Sequence, residues 1–89
     1  MNYKIKNNEN VIIHWDFCEW QVTSIYVEQD EIESVCGKYK DGIENKWVYA
    51  EDIDVNELDY KSIRNIQNYI KKINSITNKG GRKWIKKNT

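Results

Sequence analysis

The sequence predicts an α+β fold: an antiparallel β-meander of about four strands followed by one C-terminal amphipathic helix packed on the sheet, with a short basic tail. Three observations carry that reading. Apolar and polar residues alternate with period two through much of the first fifty positions, which are rich in β-branched and aromatic side chains. Beyond residue 60 the apolar period becomes that of a helix. The third observation is charge, since Asp59 is the last acidic residue of the chain. Residues 1–60 hold five cationic side chains and all fourteen acidic ones, a net −9. Residues 61–89 hold nine cations and no acid, a net +9. The formal charge of zero hides two opposed segments whose seam falls at the expected sheet-to-helix boundary.

The elements follow in order. "YKIK" (3–6) reads as a short extra strand. "NVIIHWDF" (10–17) alternates with Val11, Ile13, Trp15 and Phe17 on one face and Ile12, His14 and Asp16 on the other, a strand pattern. "EWQVTSIYVEQ" (19–29) is a second strand with Trp20, Val22 and Tyr26 on one face. Ile25 and Val27 break its alternation, so either both faces are covered there or a bulge shifts the phase. "QDE" (29–31) is a polar turn. "IESVCGKY" (32–39) and "KWVYAE" (46–51) are two strands joined around "KDGIEN" (40–45), where Asp41-Gly42 offers the positive φ of a hairpin turn.

Ile63, Ile66, Ile70, Ile73 and Ile76 then recur at helical spacing, one apolar stripe on a helix of about five turns. Lys61, Arg64, Asn65, Asn68, Lys71, Lys72 and Ser75 take the other faces. Asp59 suits the N-cap, Asp54 and Glu57 an earlier helical turn, and "NKGG" (78–81) the stop. The stripe is expected to cover the sheet or a partner protomer. In the final "RKWIKKNT" (82–89), Trp84 and Ile85 either pin the segment back onto the domain or leave a mobile basic tail whose Trp stacks on a base.

The length of 89 residues, the absence of proline and the four glycines argue for a single domain over 1–89. It divides into an acidic β-sheet part (1–53), the helix (54–79) and the basic tail (80–89). The N-terminal stretch lacks an apolar signal region, and the longest apolar run, "WVYA", is far short of a membrane span. A cytoplasmic protein with no membrane partner is expected. Cys18 and Cys36 are expected to be half-buried free thiols. Ile, Lys and Asn supply 36 of the 89 residues, a bias of AT-rich genes such as those of phages in low-GC bacterial hosts.

Catalytic signals are weak. His14 and Asp16, two apart on the expected strand, could orient an imidazole for general-base work, but nothing places a nucleophile beside them. His14, Asp16, Cys18 and Cys36 lack the spacing of a structural zinc site. The acidic runs 28–33 and 51–59 lack the glycine and register of a calcium loop. "NKGGRK" is not a phosphate loop. The expectation is a non-enzyme with no cofactor and no metal.

Two binding readings remain. In the first, Glu28, Asp30, Glu31, Glu33, Asp41 and Glu44, with Trp47 and Tyr49 as aromatic anchors, imitate a phosphate backbone and occupy a basic nucleic-acid-handling protein, such as a host defence effector. In size, absence of catalytic motifs and compositional flavour, the chain is similar to the small phage-encoded inhibitors of bacterial defence, the anti-CRISPR type. In the second, Lys71, Lys72, Arg82, Lys83, Trp84, Lys86 and Lys87 bind nucleic acid. A homodimer joined by acid-to-base contacts is compatible with either.

Overall fold

The alternating half of the chain forms one antiparallel sheet in the computed structural model, which describes residues 1–6 and 8–77. The strands are β1 (Asn2–Lys4), β2 (Ile12–Trp15), β3 (Cys18–Glu28), β4 (Glu31–Asp41) and β5 (Lys46–Asp54). A 3₁₀ turn (Val55–Glu57) leads to the helix α1 (Tyr60–Thr77). The strand order is β1-β3-β4-β5, with β2 also paired to β3. β1 takes Ser24–Tyr26 and β2 takes Cys18–Gln21, so the two short strands share one edge of β3. The sheet is therefore a four-ply meander whose first ply is broken. The segment between β1 and β2 stays tied to the ladder at both ends, through Ile5 N–H to the Thr23 carbonyl (3.0 Å) and Val22 N–H to the Val11 carbonyl (2.8 Å).

The phase break in the second predicted strand is a bulge. Val22 faces Gly37 and Ser24 faces Cys36, which leaves Thr23 as the extra residue. The slip moves Ile25 onto the core face beside Trp20 and Val22, and turns Tyr26, placed there by simple alternation, to the opposite side, where it is exposed. On the other flank of β4, the step from Val35↔Ile53 to Gly37↔Ala50 puts the extra residue in β5, where Asp52 has φ 55°. Both neighbours of β4 thus kink at Cys36–Gly37. Gly37 is needed there for space: a Cβ would stand 3.2 Å from the Gln21 carbonyl oxygen and 3.4 Å from Trp20 Cβ.

The turns differ from expectation in two places. The first strand does not run through Phe17. Asp16 (φ 52°) and Phe17 (φ 62°) form a two-residue turn between paired Trp15 and Cys18, with the doubly positive φ of a type I′ hairpin. Phe17 leaves the core face altogether, and His14 and Asp16 no longer share one. In the β4–β5 turn the positive φ belongs to Asn45 (56°), not to Gly42. The Asp41 carboxylate instead orders this turn by accepting from the N–H groups of Ile43 (3.4 Å) and Glu44 (3.2 Å). The β3–β4 turn is a second doubly positive pair, Gln29 (52°) and Asp30 (66°).

The core lies on one face, built from Val11, Ile13, Trp20, Val22, Ile25, Val35 and Ile53 and covered by Leu58, Ile66 and Tyr69. Trp20 is its hub, edge-on to Trp15 (centroids 5.3 Å) and Tyr39 (4.6 Å), with its indole N–H on the Trp15 carbonyl (2.9 Å). Each such fully buried side chain contributes about 1.5–3 kcal/mol. The helix begins at Tyr60, later than the span from residue 54 expected for it, because 55–57 forms the separate 3₁₀ turn. The stop at "NKGG" and the basic tail lie outside the described residues. α1 packs chiefly against β2. Ser62, Ile66 and Tyr69 are its most buried side chains, with Ile63, Ile70 and Ile73 packed at the flanks. The isoleucine stripe is thus rotated slightly off the contact centre.

Candidate partner-binding surfaces

The candidate side chains sort by which end of the meander carries them. At one end, the β3–β4 turn presents Glu28, Asp30 and Glu31, with Glu33 three residues from the turn. Register sets Glu28 directly opposite Glu31. A like-charge pair facing across an antiparallel ladder is destabilising by about 0.2–1 kcal/mol. β5 ends at the same level, with Asp54 opposite Ser34. None of these five carboxylates enters an ion pair among the described residues. Glu28 accepts a hydrogen bond from the Tyr26 hydroxyl. That bond, then the charge of Glu28, pushes the Tyr26 phenol above its ordinary value.

The opposite end holds Asp41, Glu44, Trp47 and Tyr49. The eight residues expected to form one acidic face are therefore split between the two ends of β4, four and four. The second group does not form an acidic surface. Trp47 lies under the ammonium groups of Lys38 (4.5 Å) and Lys40 (5.3 Å), and Glu44 is paired with Lys46 (3.3 Å). These cations were hidden by the net charge of the segment, although the period-two rule puts Lys38, Lys40, Trp47 and Tyr49 on one face once the register is known.

Of the residues expected to meet nucleic acid, Lys72 is held by Glu9 (2.8 Å) and Lys71 is exposed. Arg82, Lys83, Trp84, Lys86 and Lys87 lie outside the described residues. Arg64 stacks on Tyr60 (4.9 Å) and bonds its hydroxyl.

His14 pairs with Glu19 (3.4 Å) rather than with Asp16. Cys18 and Cys36 are free, half-buried thiols, and strand alternation puts them on opposite faces. Among the described residues no three His, Cys, Asp or Glu side chains come together in a way that could hold a metal ion. No described helix is long and apolar enough to cross a membrane.

The helix seals the outer edge of β2. His14 N–H donates to Ser62 Oγ (2.8 Å), and Asn65 Nδ2 donates to the Ile12 carbonyl (3.0 Å). Asp59 caps the helix by accepting from Ser62 N–H (2.8 Å). The Ser62 hydroxyl, then its backbone N–H, holds the Asp59 carboxyl below its usual range. Sequence reading identified the cap but missed Ser62 and Asn65, because a polar residue on an apolar helix face carries no signal of the strand edge it will meet.

Two surfaces stand out from this geometry on a small α+β meander: an unpaired carboxylate end and an aromatic end. Comparison with protein-family models, with curated proteins and with solved structures gave no match to this chain.

Proposed function

We propose that the chain is a non-catalytic protein-binding inhibitor, of the kind phages and other mobile elements direct at bacterial defence. Its acidic end occupies a basic, nucleic-acid-binding surface of its target in the host cytoplasm. One observation supports this above the rest: Glu28 and Glu31 face each other across the ladder, with Asp30 between them and Glu33 beside them. Such a tip costs folding stability, and no described ion pair offsets it. A partner that supplies cations turns that cost into affinity and speeds encounter.

The test is to replace Glu31 by Lys, alone and together with Asp30→Lys and Glu33→Lys. E31K should raise folding stability by about 0.5 kcal/mol, because the cross-strand pair becomes attractive. The same change should weaken protection of a plasmid from nucleases in bacterial cells, and the triple variant should abolish it. Full protection by the triple variant would refute the acidic-end reading. Fluorescence anisotropy with labelled DNA and RNA at two salt concentrations addresses the other reading. Micromolar binding that falls steeply with salt would assign function to the basic helix and tail.

A further inference from the structure

Phe17 occupies the second position of the β2–β3 turn at φ 62° and is wholly exposed, at 105% of its reference area. Two-residue turns of this kind favour glycine or asparagine at positive φ, and a bulky side chain there is an outlier. The ring forfeits the stabilisation that burial would give it. No described contact of the ring within the chain offsets either. Ile43, in the β4–β5 turn, is 93% exposed. The two turns close the same end of the sheet. β3 and β4 are paired at Gln21↔Lys38, Trp20 meets Tyr39 edge-on one step further out, and the turns cap the same ends of these strands. Neighbouring strands lie about 5 Å apart and the turn centres are two strand spacings, about 10 Å, apart, so the two apolar side chains stand at one end of the molecule, opposite the acidic tip.

We infer that Phe17 and Ile43 are a two-pronged anchor that enters an apolar cleft with a basic rim on a protein partner. The inference rests on the reading of the chain as a protein-binding inhibitor and adds the apolar hot spot that the acidic end lacks. Charge selects the occupant. Asp16 adjoins Phe17 and Asp41 lies two residues before Ile43, and neither enters an ion pair among the described residues. Glu44 and Lys46 cancel as a pair, while Lys38 and Lys40 sit over Trp47 on the sheet face. Carboxylates around the prongs repel anionic headgroups and phosphates, and they suit lysine or arginine around a cleft. Residues held in sparsely populated backbone regions cluster at ligand-binding and switch positions, and Phe17 is one of them.

The experiment has two arms on the full chain. The first is thermal melting of F17G and I43S. With no internal role for the ring, F17G melts at the same temperature or higher, since glycine relieves the positive φ. A clear drop in melting temperature would overturn the inference by showing that Phe17 supports the fold. The second arm places the photocrosslinker p-benzoylphenylalanine at position 17, and separately at position 31, in bacteria that carry guided and restriction nucleases. The protein crosslinked through position 17 is identified, purified and titrated with wild type, F17G and I43S. A loss of affinity of at least tenfold in each folded variant supports the anchor. Unchanged affinity overturns it. Crosslinking from 31 alone overturns the anchor and leaves the acidic-end reading standing. Crosslinking from 17 alone, with that affinity loss, does the reverse, and none from either overturns both. Crosslinking of 17 to a second copy, or co-sedimentation with phosphatidylglycerol vesicles that F17G abolishes, also overturns it.

Discussion

Ser62 shows how much one small polar residue can settle. It is 1% exposed, yet it gives its N–H and hydroxyl to Asp59 and accepts from His14 N–H. Cap, helix and strand edge meet at one oxygen. Ser62→Ala leaves a shielded strand N–H without its acceptor and should cost about 1–3 kcal/mol, read from urea unfolding. Ser62→Thr, which keeps the oxygen, should cost less than Ser62→Ala. The lowered Asp59 carboxyl has a pH consequence. Its folded value lies below its unfolded one, so its contribution is fully present above the ordinary carboxylate range and is lost as pH falls through the folded value. Melting curves from pH 2 to 7 should show a shallower acid loss for Asp59→Ala than for wild type. Gly37 is a third case. Gly37→Ala pushes a methyl against the Gln21 carbonyl and the base of Trp20, so the melting temperature should fall even though the backbone there is ordinary.

At the scale of elements, both open edges of the sheet are managed, by different means. β2 is covered by side chains from α1, and β5 carries a bulge at Asp52 that interrupts its outer edge. Unprotected edges recruit other strands. Ile66 holds the helix in its covering position and is fully buried. Ile66→Ala should cost about 2–5 kcal/mol in urea unfolding. If the helix detaches, light scattering should rise with the exposed β2 edge. Much of this level was legible in the residues. Alternation marked the strands, isoleucine spacing marked the helix, and Asp59 marked its cap. Trp15-Asp16-Phe17-Cys18 was not legible, because an apolar residue in strand phase looks the same whether it continues a strand or turns the chain. Thr23 was legible only as a fault in the pattern, since a bulge depends on which partner residue is skipped. Asn45 was masked by the stronger turn signal of Asp41-Gly42.

For the whole molecule, the charge seam proved real but coarse. The sign changes along the chain at Asp59, yet the sheet is not uniformly acidic. Its carboxylates concentrate at one end, and its lysines gather around Trp47. Net charge per segment averages over strands that run in opposite directions, so it cannot say which end of a meander a residue occupies. The aromatic end escaped sequence reading for the same reason: Phe17 and Ile43 are twenty-six positions apart and come to the same end only through the register of β3 with β4. The molecule extends 48 Å along its longest axis and 20 Å along its shortest. The two ends are separated by well over the Debye length of about 8 Å at physiological salt, so the affinity losses caused by Glu31→Lys and by Phe17→Gly should add, as independent sites do, in the double variant. Titration of both single variants and the double variant against one purified partner checks this.

The broken first ply has a consequence for how the fold breathes. β1 is only three residues long and is tied to β3 separately from β2, which is anchored by the helix. Opening of β1 does not require α1 to leave. Native-state amide exchange should then resolve two rates along the same edge of β3. Ile5 and Val27, bonded to the β1 side, should exchange through a low-cost local opening. Val22, bonded to Val11, should exchange only when the helix and β2 come away together. A single strand, β3, would thus report two stabilities within a span of six residues.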